Sequence, residues 1–163
     1  MKNKNIAIYG LLVALAFILS YIETLITLPL MPGIKLGLAN LVVITAMYGL
    51  GYKESFVLSL IRILLFGLSF GHLSTMLYSL AGGILSWIMM ALAKKIKWFS
   101  MVGVSIIGGV FHNIGQIIVA ILIVNNVYII TYLPLLLIAG VVTGALIGLL
   151  GAMIIKRVNK YLK

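Results

Sequence analysis

Three polar side chains stand close together in a long apolar stretch of the chain. His112, Asn113 and Gln116 lie within residues 100–124, and their spacings of three and four residues allow them to share one side of a helix. A polar side chain in hydrocarbon is costly unless it is hydrogen bonded. The three residues therefore either hydrogen bond between helices or contribute to a ligand site, and their types alone leave both alternatives open.

Arg62 is a charged residue near the middle of another apolar stretch. Its guanidinium stays protonated, so it must face the interior of a helical bundle, water or a ligand. The sequence contains only two acidic residues, Glu23 and Glu54. Glu54 lies two helical turns away from Arg62, beyond easy reach, whereas Glu23 lies near the outer end of the first apolar stretch and could pair with it. Arg62 therefore either pairs with Glu23 or faces a ligand.

The composition of the chain defines the elements that hold these residues. Of its 163 residues, 64% are hydrophobic and 9% are charged, whereas soluble domains carry about 25% charged residues. We predict an all-α, polytopic membrane protein, a compact bundle of about six transmembrane helices in a single domain, residues 1–163. The first apolar run is long enough for an uncleaved helix. Clusters of charge, proline and glycine place the spans at about residues 6–28, 35–50, 55–70, 73–93, 100–124 and 133–155.

The positive charges predict the orientation of the bundle. With six spans and the N-terminus inside, Lys35 alone lies on the outer side and Arg62 lies within a span. The other cations lie on the inner side: Lys2, Lys4, Lys53, Lys94, Lys95, Lys97, Lys156, Arg157, Lys160 and Lys163. Cytoplasmic loops collect Lys and Arg, so we predict cytoplasmic termini in a multi-pass protein of the cell membrane. This asymmetry accounts for the net charge of +10 without a nucleic-acid partner.

The predicted orientation also outlines a cavity that opens to the outside. Its formal charge, from Lys35, Arg62 and Glu23, is near +1, which favours an anionic or carbonyl-rich ligand. The predicted substrate-binding residues are Arg62, Lys35, Asn40, His112, Asn113, Gln116, Glu23 and Tyr78.

Small residues recur at intervals of four in two of the predicted spans. The sixth span carries Gly140, Gly144, Gly148 and Ala152, and the first carries Gly10 and Ala14. Such strips let helix backbones approach closely in a membrane. They serve either packing inside this bundle or docking onto a partner membrane protein.

Several kinds of chemistry are not expected from this chain. It has no cysteine, no aspartate and no GxxxxGK[ST] phosphate loop, so ATP hydrolysis by the chain itself is not expected. No second histidine or carboxylate is spaced to hold a metal with His112. We predict a protein that is not an enzyme, with no catalytic residues, metal or cofactor.

The segment PGIKLGLAN, residues 32–40, resembles the signature of the Gx transporter family, many of whose members are labelled heptaprenyl diphosphate synthase component I. The further matches are Arg62 with Gly67, YSLAGG at 78–83, HNIGQ at 112–116 and LIAGVVTG at 137–144. The resemblance covers nearly the whole chain. That family in turn resembles the substrate-binding (S) components of energy-coupling factor (ECF) transporters, which are small six-helix membrane proteins.

The resemblance implies a function and partners. An S component captures a vitamin or related micronutrient from outside and depends on a transmembrane coupling subunit and a pair of ATPases. A small-xxx-small motif in its first helix docks on the coupling subunit, and Gly10 and Ala14 stand in the corresponding place. The family's associations with quinone, flavin and extracellular electron transfer imply a redox-related ligand.

The family label implies an alternative without transport. The chain would then be a membrane accessory of heptaprenyl diphosphate or quinone synthesis, with a soluble prenyl diphosphate synthase subunit as partner, or a component of an extracellular electron-transfer pathway. Prenyl diphosphate synthases hold Mg²⁺ with aspartate-rich motifs, and the chain has no aspartate. It cannot perform that synthesis alone.

Overall fold

The computed structural model describes residues 2–26, 37–70 and 73–161, with side chains described for residues 7–26, 37–70 and 73–158. These ranges are helical throughout, apart from short connections, and contain no strand. The helices are α1 (Lys2–Ile26), α2 (Leu38–Gly49), α3 (Tyr52–Phe70), α4 (Leu73–Ile96), α5 (Met101–Val124) and α6 (Leu133–Tyr161), with a short 3-10 helix (Val127–Tyr132) before α6. The prediction of an all-α fold is confirmed.

Length and composition identify the helices that can cross a membrane. Among the described residues, four helical stretches are long and apolar enough: 7–25 in α1, all of α4 and α5, and 127–158, which joins the 3-10 helix to α6. The α2 helix is apolar but shorter. These features confirm a multi-pass helical membrane bundle. The crossings by α2 and α3, and the orientation, remain predictions.

Four helix ends extend beyond the predicted span boundaries. The α1 helix begins at Lys2 rather than at residue 6, and α6 continues past residue 155 to Tyr161; α3 and α4 are extended at charged residues. The α3 helix begins at Tyr52 rather than at residue 55, which places Glu54 in its first turn, where the helix dipole favours an acidic group. The α4 helix continues past residue 93 through Lys94 and Lys95, where the dipole favours cations. Residues 27–36, which contain the predicted end of the first span and start of the second, lie outside the described residues.

The short α2 helix lies at the centre of the bundle. It packs against α1, α3 and α6, and the remaining contacts link α1 to α3, α3 to α4, α4 to α5 and α5 to α6. Its side chains supply much of the hydrophobic core, which includes Val43, Ile44 and Met47. At its C-terminal end, Lys94 Nζ donates to Met47 O at 2.5 Å and lies over the rings of Tyr48 and Tyr52, 4.4 Å and 4.6 Å from their centroids.

The α5 helix is held on two sides by glycine contacts. Toward α4, a Cβ added at Gly115 would lie 2.8 Å from Ala81 O and 2.9 Å from Gly82 Cα. Toward α6, a Cβ added at Gly144 would lie 2.7 Å from Ile106 Cα. Backbone contact at such distances excludes any larger residue without movement of a helix. The helices α4, α5 and α6 therefore form one tightly packed layer beside α1, α2 and α3.

Candidate functional site

A polar cavity lies where five of the six described helices converge, at the N-terminal end of α2. Its empty space is about 500 Å³ when the open mouth is counted, and the centre of a water molecule can reach about 30 Å³ of it. The cavity is lined by Ser20, Glu23, Gly37, Asn40, Arg62, Ile63, Phe66, Gly67, Thr75, Met76, Ser79 and His112.

The acidic side of the cavity joins α1 to the start of α2. Gly37 precedes α2 with φ of 76°, a left-handed conformation that favours glycine. It provides no side-chain cap, and its N–H instead donates to Glu23 Oε1 on α1. Glu23 is 3% exposed. A carboxylate at a helix N-terminus is favoured by the exposed N–H groups and the helix dipole, which explains how α1 and α2 hold this buried charge.

The basic side of the cavity is Arg62 on α3. Its side chain is 8% exposed, and its Nη2 lies 3.5 Å from Asn40 Oδ1, a longer separation than an ordinary hydrogen bond. Arg62 Nε is buried and has no hydrogen-bond partner among the described residues. Glu23 is close enough to attract the guanidinium electrostatically. The predicted pairing and the predicted ligand-facing position are therefore compatible, because both charges line one cavity.

The apolar side of the cavity comes mainly from α3. Ile63, Phe66 and Gly67 follow Arg62 along one face of that helix. Gly67 lets Met76 of α4 lie against α3, since a Cβ at Gly67 would be 2.7 Å from Met76 Cγ. Phe66 also packs edge-to-face on Phe17 of α1, with ring centroids 6.3 Å apart. The polar groups thus lie beside a wall of apolar side chains.

His112 is the part of α5 that reaches the cavity. It is 7% exposed, and it lies where α4 approaches closely: a Cβ added at Gly82 would be 2.7 Å from His112 O and 3.0 Å from His112 Nδ1. Glycine at position 82 therefore leaves room for the imidazole ring between the two helices.

Three of the predicted binding residues that the structure describes are not among those that line the cavity. Asn113 is buried and donates from Nδ2 to Leu136 O at 2.5 Å, a hydrogen bond between α5 and α6. Gln116 is buried, with its Cγ 2.9 Å from a Cβ added at Gly82, and Tyr78 is half-buried on α4. Lys35 lies outside the described residues. Two neighbouring residues of the HNIGQ segment therefore differ in role: His112 lines the cavity, whereas Asn113 forms a hydrogen bond between α5 and α6.

The small residues of α6 and α1 have different surroundings. Gly140, Gly144 and Gly148 face the backbone of α5, with added Cβ atoms 2.6–2.9 Å from their nearest neighbours. Ala152 is half-buried at the end of this row. In contrast, nothing lies within 4 Å of a Cβ added at Gly10, and Ala14 is exposed. The α6 strip therefore packs inside the bundle, and the α1 pair lies on its outer surface.

Sequence reasoning did not identify several lining residues. Ser20 and Thr75 are ordinary in apolar helices, and Ile63, Phe66 and Met76 carry no polar signal. Ser20 lies three residues before Glu23 and Thr75 lies four before Ser79, so helical spacing from the polar residues could have indicated them. Gly37 could not be identified from spacing, because its role depends on backbone conformation.

The side chains of the cavity are suited to recognition. The described lining residues offer one cation, one carboxylate, an amide, hydroxyl groups and an imidazole beside an apolar wall, which is the pattern of ligand pockets. Within the described ranges, no three His, Cys, Asp or Glu side chains come together as a possible metal site.

The fold and the buried polar cavity define a multi-pass helical membrane protein with an internal polar site. A family model described as heptaprenyl diphosphate synthase component I matches residues 12–154. The chain therefore belongs to this family, as its motifs predicted. No curated protein and no solved structure matches the chain.

Proposed function

We propose that the chain is the membrane-embedded substrate-binding subunit of an ECF-like importer in the cell membrane. It would capture a small, anionic or carbonyl-rich micronutrient or redox-related ligand from outside and release it after a partner reorients the bundle. One observation carries this proposal: Arg62, Glu23 and His112, three polar residues that are costly to bury, line a single cavity. Ionisable residues within membrane helices typically mark a substrate or ion pathway.

The cavity requires movement to admit such a ligand. The 30 Å³ accessible to the centre of a water molecule corresponds to about two or three water molecules. A vitamin-sized ligand would have to displace side chains at the open mouth. Met76 is suited to this movement, because it is unbranched and flexible and rests against Gly67 rather than against a larger side chain.

The outer face of α1 supports the proposed partner. Gly10 and Ala14 leave a shallow, smooth area on the surface, and Leu11 and Leu15 beside them are exposed. A helix of another membrane protein could approach closely there. We propose that this face docks on a transmembrane coupling subunit that is bound to a pair of ATPases.

Affinity purification from mildly solubilised membranes of cells that make the protein tests this function. We expect a transmembrane subunit and two ATPases with phosphate-loop sequences to be recovered with the tagged chain. A tagged, unrelated multi-pass protein prepared in parallel controls for contaminants. Absence of both ATPases after cross-linking would contradict the proposal.

The family description favours a second candidate function, in which the chain is a membrane accessory of prenyl diphosphate or quinone synthesis. This role requires no chemistry from the chain itself, which has no aspartate. It predicts recovery of a soluble prenyl diphosphate synthase subunit in the same purification. Recovery of electron-transfer proteins alone would instead support a role in an extracellular electron-transfer pathway.

A further inference from the structure

We infer that the ligand of this cavity presents a single carboxylate to Arg62, rather than a phosphate or a diphosphate. This inference rests on the proposed binding function and narrows its ligand class. It depends on three features of the described residues: the unoccupied edge of the guanidinium, the charge balance of the cavity lining, and the shape of the apolar wall.

The Nε edge of Arg62 presents donors that a ligand could use. Nε is buried without a hydrogen-bond partner among the described residues, and Nη2 has only the 3.5 Å contact with Asn40. Adjacent N–H groups of a guanidinium match the two oxygens of a carboxylate in a planar, bidentate pair. A buried donor without a partner is costly. A carboxylate at this edge would satisfy both donors.

The charge balance of the cavity limits the charge of the ligand. Among the described lining residues, Arg62 is cationic and Glu23 is anionic, so their formal charges cancel. The cost of removing an ion from water rises steeply with its charge and is recovered only by close opposite charges. Any negative charge on the ligand is therefore added to a lining that has no net charge among the described residues, and a monoanion that pairs closely with Arg62 adds the least. The several negative charges of a diphosphate would cost far more.

The apolar wall indicates what the carboxylate is attached to. Phe66 lies about one helical turn after Arg62 on the same side of α3, Ile63 directly follows Arg62 in the sequence, and Met76 lies opposite on α4. Gly67 keeps the space between these helices narrow. The body of the ligand is therefore small and apolar, and it packs on Phe66 while its carboxylate pairs with Arg62.

Thermal unfolding of the detergent-purified chain with a defined set of probes tests this inference. The set contains butyrate, hexanoate, benzoate and 2-naphthoate, each with its primary amide and its phosphonate. We expect at least one carboxylate to raise the unfolding temperature, with its amide and phosphonate binding at least about tenfold more weakly. Arg62→Gln should weaken carboxylate binding by about tenfold or more. Arg157→Gln removes the same charge from an exposed position of α6 and should leave binding unchanged.

A second variant keeps the test decisive if Arg62→Gln does not fold. Gly67→Ala retains the guanidinium but forces Met76 to move, since the new Cβ would be 2.7 Å from Met76 Cγ. It should weaken binding of naphthoate more than binding of butyrate.

Three results would overturn the inference: no stabilisation by any carboxylate, equal or stronger binding of the phosphonates, or carboxylate binding that is unchanged in Arg62→Gln. None of these affects recovery of the ATPases, so the proposed function fails or stands on a separate measurement.

Discussion

The α5–α6 contact and the outer face of α1 use the same sequence pattern in different ways. Both contain small residues four apart, yet Gly144 lies against the backbone of α5 and Gly10 has nothing within 4 Å. The spacing shows that a helix can approach another closely. It does not show whether that other helix belongs to the same chain.

The opposite face of the helix resolves this ambiguity for α1. Ala16, Ser20 and Glu23 are all at most 6% exposed, and their spacings of four and three residues define one inward face. At about 100° per residue, Gly10 and Ala14 lie on the other side. Buried polar residues therefore indicate which face of a membrane helix points inward, and small residues alone do not.

The largest expected effect is loss of stability when the α6 strip is enlarged. In Gly144→Ile, the new Cβ would lie 2.7 Å from Ile106 Cα and 2.8 Å from Ser105 O, both backbone atoms that cannot rotate away. We expect destabilisation of about 3 kcal/mol or more, the upper end for overpacking. Unfolding in detergent measures it. Gly10→Ile is the matched control, and its free energy of unfolding is expected to change by no more than about 0.5 kcal/mol. Equal destabilisation at both positions would show that the small residues of α1 and α6 do not differ in packing.

A smaller loss is expected when the hydrogen bond between α5 and α6 is removed. Asn113→Leu leaves Leu136 O without the donor that lies 2.5 Å away, and we expect about 1–3 kcal/mol of destabilisation. In Thr143→Val, the lost hydroxyl bonds only to Ala139 O of its own helix. That variant should lose less than about 1 kcal/mol. If both variants unfold alike, Asn113 does not hold the two helices together.

Enlarging the α1 face should affect assembly instead of stability. In Gly10→Leu, a side chain would project from the surface where Gly10 now meets open space. We expect the recovery of coupling subunit and ATPases to fall about tenfold, which corresponds to about 1.4 kcal/mol, with unchanged thermal unfolding. Val142→Leu enlarges an exposed position of α6 and should leave recovery unchanged. Full recovery with Gly10→Leu would exclude this face as the docking surface.

The smallest predicted effects are opposite in sign for the two helices. Gly10→Ala should stabilise the chain by about 0.5–1 kcal/mol, because alanine favours the helical conformation and has room at this position. Gly140→Ala should destabilise it, since the new Cβ would be 2.9 Å from both Gly109 C and Asn113 Nδ2. Parallel unfolding curves of the two variants test the sign directly.

The fold was predictable because apolar length and charge act locally along the chain. Runs of apolar residues predicted the helices, and proline, glycine and lysine predicted where they end. At one exception, where α4 continues through Lys94, the lysine also donates to Met47 O of another helix, a contact that the sequence does not reveal. The short 3-10 helix before α6 likewise has no strong signal in its sequence.

The candidate site was predictable only in part. Arg62, Glu23, Asn40 and His112 were identified because each is polar or charged in an apolar setting, and all four line the cavity. Asn113 carries the same signal but bonds to α6, and residue type does not reveal that direction. Phe66 and Met76 line the cavity without any polar signal, since their contribution is shape. Whether these residues bind a ligand stays a prediction.

The α1 helix has a consequence for how the proposed partner and ligand would influence each other. Gly10 and Ala14, which face outward, and Glu23, which faces inward, belong to one continuous helix. Gly10 and Glu23 are about 20 Å apart along its axis, at about 1.5 Å per residue. A tilt of α1 on docking would move Glu23 and, through its contact with Gly37, the start of α2. Linkage is reciprocal: if docking weakens ligand binding by some factor, a bound ligand weakens docking by the same factor. Ligand release and partner release would then both be determined by the same coupling free energy.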